Sequence, residues 1–263
     1  MRSKGMGGRG PRQASPRALA IGGGIVAVVV IAIVLGVVLG RGNGSNSPSS
    51  VLGGLGSVGN ANSPVALQGA PDANALFNRI PQKGIVLGNP GAPVKMEMFI
   101  DVQCPICRDY EVSNLPEIVQ KYVKTGKVQL HVQPWAFLGP QSTSGRLGVI
   151  AASFQNKGYE YAKVLYDNQQ TENTGWLTNR EMAMIAASVT GLNLHRWWSD
   201  VNSSQAKAIA SQVDSLATKA NVQGTPTVLV GPANGKLHDI IQPGLAPTLQ
   251  ITEQALDRQL AKS

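Results

Sequence analysis

A chain of 263 residues with a formal charge of +8 invites a nucleic-acid partner, but the placement of the charge removes the main support for one. Arg2, Lys4, Arg9, Arg12, Arg17 and Arg41 all precede the first acidic residue, Asp72, and the other 17 basic residues face 15 acids, so the foldable part is near neutral. Two cysteines, three positions apart, exclude a disulfide-stapled scaffold and concentrate all thiol chemistry at one point.

Residues 1–17 form a basic tail. Residues 18–40, ALAIGGGIVAVVVIAIVLGVVLG, are 23 positions without a charge. As a helix they rise about 35 Å, enough to cross a hydrocarbon core. Five basic residues before this run against Arg41 after it place the amino terminus in the cytoplasm. The expectation is a single-pass anchor in the cell membrane with the rest of the chain extracytoplasmic. A cleaved signal peptide is the alternative, but the run is long for one and no clean A-x-A site follows. Residues 41–75, rich in Gly, Ser, Asn and Pro, read as a flexible linker, which leaves 76–263 as one α/β domain.

Within that domain VKMEMFID, residues 94–101, reads as a strand that runs directly into Gln103 and Cys104. Helical patterning starts after Cys104, with Pro105 at the first helical position, so Cys104 is the expected N-cap. Pro116 requires the helix to bend or restart near Asn114, and Gly126 ends it. Residues 128–132 alternate as a second strand, completing a βαβ unit. Positions from about 141 to 220 carry helical signals instead, including a capping box at Thr178 and Glu181 and a helical repeat from Ser203. A strand at 226–230, a turn at Gly231 and Pro232, a short strand at 238–242 and a helix near 248–261 follow.

A C-x-x-C at a strand-to-helix junction sets its sulfurs one turn apart, close enough for a small disulfide ring. The first sulfur lies at the open helix start, where the N–H groups of Ile106 and Cys107 are unpaired and an anion is favoured. Cys104 is therefore the expected exchanging thiolate and Cys107 the buried resolving thiol of ordinary acidity. Lowering Cys104 from about 8.5 to about 4 would favour the reduced form at pH 7 by ~4 kcal/mol, or about 90 mV. Zinc needs four ligands, and His131, His195 and His238 are scattered, so no metal is expected. No cofactor is expected either. A purely structural disulfide is the blander alternative, although Pro105 at N1 is an odd place for one.

The string FIDVQCPIC, residues 99–107, followed by Leu115-Pro116, TGKV at 125–128, a helical insertion and VQGTPT at 222–227, resembles the DsbA-type disulfide oxidoreductases, nearest to their membrane-anchored branch. The resemblance covers positions 84–262. It implies a thioredoxin-like fold with an inserted helical subdomain, preceded by one transmembrane helix and the linker. It also implies a protein disulfide oxidase acting on exported client proteins with thiols, reoxidised by a quinone-linked membrane partner of the DsbB or vitamin-K-epoxide-reductase type. By the same resemblance Thr225 and Pro226 form a cis-proline loop that contacts substrate. The dipeptide Pro105-Ile106 lacks the histidine of the strongest oxidants, which implies a milder one. Asp101 resembles an aspartate of the anchored branch and is a candidate proton relay toward Cys107, although an acid ending a strand is expected to be solvated. His131 is expected to be structural, and Trp197 and Trp198 to be core. A reductase or isomerase using the same residues, and a redox-inactive thioredoxin-like binding module, are the rival functions.

Overall fold

The computed structural model describes residues 47–241 and 246–263. The predicted tail, the predicted span at 18–40 and the linker positions 41–46 lie outside the described residues, as does Gln242 at the end of the last predicted strand. Among the described residues no helix is long and apolar enough to cross a membrane.

Among the described residues six strands form one sheet in the order β1 (Gln82–Lys83), β2 (Val86–Leu87), β4 (Val128–Pro134), β3 (Val94–Ile100), β5 (Thr227–Pro232), β6 (His238–Asp239). The central strand β3 is parallel to β4 and antiparallel to β5, so both edges of β3 are satisfied. Its alternation divides the core. Met96, Met98 and Ile100 join the main cluster, whereas Phe99 packs with Ala217, Val222 and Leu229. The predicted turn at Gly231 and Pro232 is a correction: both residues continue β5, paired with Lys95 and Val94, and the chain turns after Pro232, where Gly235 N–H donates to the Pro232 carbonyl at 3.0 Å.

The crossover from β3 to β4 runs through α3 (Pro105–Ser113) and α4 (Leu115–Ile118), then a π-helical turn at Val119–Val123. The break falls at Asn114, one residue before Leu115-Pro116, as the proline requires. Gly126, with φ of 76°, turns the chain into β4.

The helical insertion comprises α5 (Pro140–Ser153), α6 (Gly158–Asp167), α7 (Asn179–Ala187), α8 (Leu194–Val201) and α9 (Ser204–Lys219). Side-chain oxygens of Thr178 and Ser203 cap α7 and α9 at 3.1 and 3.0 Å. Trp197 and Trp198 are buried, and the Trp197 indole donates to the Gly148 carbonyl. The final helix, α10 (Leu249–Leu260), is capped by Thr248.

The linker expectation is corrected from residue 47 onward. This stretch is a packed strap: α1 (Pro48–Leu52), a run of turns with one β-bridge from Val58 to Asn193, and α2 (Ala70–Phe77). Val51, Leu52 and Leu55 enter the core, worth about 1.5–3 kcal/mol each. Arg180 donates to the carbonyls of Val51 and Gly53, both at 2.8 Å, and Gly59 exchanges backbone hydrogen bonds with Leu192 and Gly191. A Cβ at Gly59 would lie 2.2 Å from the Val189 carbonyl oxygen, so glycine is what admits the strap to the insertion's backbone. Composition read these glycines as freedom, whereas here one of them permits close contact.

Candidate active site

The end of β3 delivers Asp101, Val102 and Gln103, each no more than 1% exposed, into the start of α3. Cys104 caps that helix with extended backbone, φ −70° and ψ 120°. Its sulfur accepts from the Cys107 N–H at 3.4 Å and donates to the Thr225 carbonyl at 3.3 Å. Both thiols are free and buried, Cys104 at 5% exposure and Cys107 at 0%. Pro105 and Ile106 are exposed beside them. The Thr225–Pro226 bond is cis, and Pro226 is buried. Residues 121 positions apart in the chain thus meet at one sulfur, as the resemblance implied.

The Cys104 thiol is lowered from 9.0 to about 6. The Cys107 side chain contributes most. Burial opposes it, and the Thr225 side chain and the amides of Cys107 and Ile106 add smaller favourable parts. The helix start expected to dominate is therefore a secondary cause. The Thr225 hydroxyl oxygen is buried without a hydrogen-bond partner, which leaves the group available to the thiolate. Cys107 departs from the ordinary acidity expected of it: burial and then the neighbouring Cys104 push its thiol well above 9.0. At pH 7 a shift of Cys104 from 9.0 to about 6 favours the reduced form by about one unit, ~1.4 kcal/mol or ~30 mV, a third of the sequence-based figure.

Asp101 is not solvated. Its carboxylate accepts from the amides of Gln103, Phe137 and Leu138 at 2.8, 2.6 and 2.8 Å and from the Ser142 hydroxyl at 2.7 Å. These four donors cover both oxygens and make the side chain a clamp between the catalytic loop and the segment after β4. Its backbone amide is the part that lies against the Cys107 sulfur. His131 is half-buried, bonded to Gln129 at 2.8 Å, and burial lowers its pKa to about 4.

Several residues at the site carried no sequence signal. Glu111, one turn beyond Cys107 on α3, is 2% exposed, and burial raises its carboxyl to about 8 despite the Lys163 ammonium. Trp135 and Phe137 stack with ring centroids 5.1 Å apart, and Phe137 is exposed. Tyr166 and Gln169 reach the catalytic loop from the insertion.

A paired thiol site at a helix start, facing a cis-proline loop on a thioredoxin-like α/β sheet with a helical insertion, defines a thiol–disulfide oxidoreductase. The thioredoxin family profile matches residues 81–240. A probable disulfide bond formation protein D of Bacillus cereus is 30% identical over 179 residues, 67% of this chain and 78% of that protein. Disulfide bond formation protein D of Bacillus subtilis is 27% identical over 153 residues, 55% of this chain and 66% of that one. Among solved structures, oxidised BdbD from Bacillus subtilis superposes with a TM-score of 0.59 at 20% identity, covering 69% of this chain and 97% of that one. A thioredoxin-like oxidoreductase from Silicibacter pomeroyi superposes at 0.53 with 26% identity, covering 73% and 98%. The chain belongs to the thioredoxin family, as a DsbA-like thiol–disulfide oxidoreductase.

Proposed function

We propose that this protein introduces disulfide bonds into exported proteins outside the cytoplasm, using a Cys104–Cys107 disulfide as the oxidant. A client thiolate attacks the Cys104 sulfur, the Cys104–Cys107 bond breaks, and its electron pair leaves on Cys107, which takes up a proton. A second client thiolate then attacks the mixed disulfide at the client sulfur. Cys104 leaves as a thiolate, the client gains one disulfide, and the enzyme keeps two electrons as its dithiol. The Thr225 carbonyl, beside a proline without an N–H, offers an edge to an extended client segment.

The observation that carries this reading is the inequality of the two sulfurs. The sulfur that faces the Thr225 loop is stabilised as an anion and leaves easily, and the sulfur beneath it regains its proton. The names of the relatives support the same direction of transfer. The uncharged run at 18–40 and its basic flank support a membrane anchor with the catalytic domain outside. Reoxidation then falls to a quinone-linked membrane partner of the DsbB or vitamin-K-epoxide-reductase type.

Equilibrating the full-length protein in glutathione buffers and trapping its thiols tests the direction. The expected potential lies above the roughly −270 mV of reductive thioredoxins. A value at or below that figure assigns the same residues to reduction or isomerisation, and sulfurs inert to glutathione leave only the binding module.

A further inference from the structure

The segment 101–104 is buried and irregular, so each of its polar backbone groups needs a partner from outside the sheet and helix ladders. Two are met locally, the Gln103 N–H by the Asp101 side chain and the Cys104 N–H by the Asp101 carbonyl, and the Cys104 carbonyl also accepts from the Arg108 N–H. The helical insertion adds partners for three carbonyls and for the Gln103 side chain. The Tyr166 hydroxyl donates to the Asp101 carbonyl at 2.9 Å. The Gln169 side-chain amide bridges two carbonyls, Val102 at 3.0 Å and Cys104 at 3.3 Å. Gln103 donates to Ser142 at 3.0 Å and accepts from the Asn173 amide at 3.0 Å.

Resting on the assignment of Cys104 as the exchanging sulfur, we propose that Gln169, seconded by Tyr166, is a positioning residue through which the helical insertion sets the acidity and potential of Cys104. Its amide holds the Val102–Gln103 and Cys104–Pro105 peptide planes, which bracket the turn into the helix. Those planes determine the cap geometry that holds the Cys104 sulfur 3.4 Å from the Cys107 N–H and within reach of the Thr225 loop. The contacts that favour the thiolate act only in that geometry. In the oxidised protein the disulfide ring itself constrains Cys104, whereas in the dithiol the hydrogen-bonded loop must do so. Loss of the Gln169 bridge therefore costs the reduced form more than the oxidised one and makes the enzyme a weaker oxidant. A purely structural role would lower stability and leave both acidity and potential in place.

The test uses the full-length protein, its Gln169→Met variant, which keeps bulk and loses the donor, and its Tyr166→Phe variant, which loses one hydroxyl. Two quantities are read: the pH midpoint of Cys104 alkylation and the equilibrium constant with glutathione. For Gln169→Met the midpoint is expected to rise by about one unit and the equilibrium constant at pH 7 to shift about fivefold toward the disulfide form, equivalent to about 20 mV. Tyr166→Phe is expected to move both in the same direction by less, and it carries the test if Gln169→Met does not fold. Folded variants with the parent's midpoint and equilibrium constant overturn the proposal. A parent midpoint near 9 would instead remove the assignment of Cys104, a failure visible before any variant is made.

Discussion

Cys104 and Cys107 are the same residue one helical turn apart, yet one thiol is lowered to about 6 and the other is raised well above 9.0. Burial raises both thiols and is the largest influence on Cys107, whereas at Cys104 the polar contacts outweigh it. The difference lies in what each sulfur faces. Cys104 sits where a thiol, a hydroxyl and two amides converge from the helix start and the Thr225 loop. Cys107 sits under the sheet end with the Cys104 sulfur beside it, and only the Asp101 amide and the Thr225 side chain on its favourable side. Acidity in a C-x-x-C is thus a property of the loops that surround it as much as of the helix that carries it.

The largest effects come from removing either half of the pair. Cys104→Ser is expected to abolish disulfide exchange with a model dithiol peptide. Cys107→Ala should still react once with an activated disulfide and then accumulate a mixed disulfide at Cys104, resolved on non-reducing gels. Release of that adduct at the parent's rate would reverse the assigned roles.

The next effect sharpens the contrast below Cys107. The Glu111 carboxyl in the folded state, at about 8, lies above its ordinary 4.5. The folded protein then binds more protons than the unfolded chain between about pH 4.5 and 8, so stability falls as pH rises through that window. Glu111→Gln should abolish the fall and gain about 3–5 kcal/mol at pH 8 relative to pH 5. Denaturant unfolding of the oxidised protein, in which Cys104 does not titrate, is the measurement. An unchanged pH slope would show Glu111 already ionised and paired.

Cys104 has the opposite sign. Its folded pKa is depressed from 9.0, so its contribution to the reduced protein is full above about pH 9 and is lost as pH falls through about 6. The stability of the reduced form minus that of the oxidised form should therefore climb between pH 6 and 8 by about 1–3 kcal/mol. A flat difference would place Cys104 at ordinary acidity.

A smaller effect separates fold from chemistry. Gly59→Ala drives a methyl into the Val189 carbonyl and should cost about 1–3 kcal/mol in unfolding free energy while leaving the Cys104 midpoint in place. A shifted midpoint would tie the strap to the catalytic loop.

The strand into Cys104, the proline at N1, the break at Asn114, the cap at Thr178 and the helix from Ser203 were legible because each is a local signal with a local cause. The Thr225–Pro226 loop was legible only by resemblance, since nothing near it in sequence points to a sulfur 121 positions away. Gln169 and Tyr166 were invisible: a glutamine past a helix end and a tyrosine on a helix look like surface and core. Asp101 was misread for the same reason, because its four donors come from Gln103, Phe137, Leu138 and Ser142, and three of these lie beyond β4. The strap was missed because glycine and serine signal coil unless the partner surface is known.

The central claim is most directly tested by following thiolate absorbance of the fully reduced protein against pH. One sulfur should ionise with a midpoint near 6, absent in Cys104→Ser, and the second should not ionise below pH 9. Two sulfurs titrating together near 9 would contradict it.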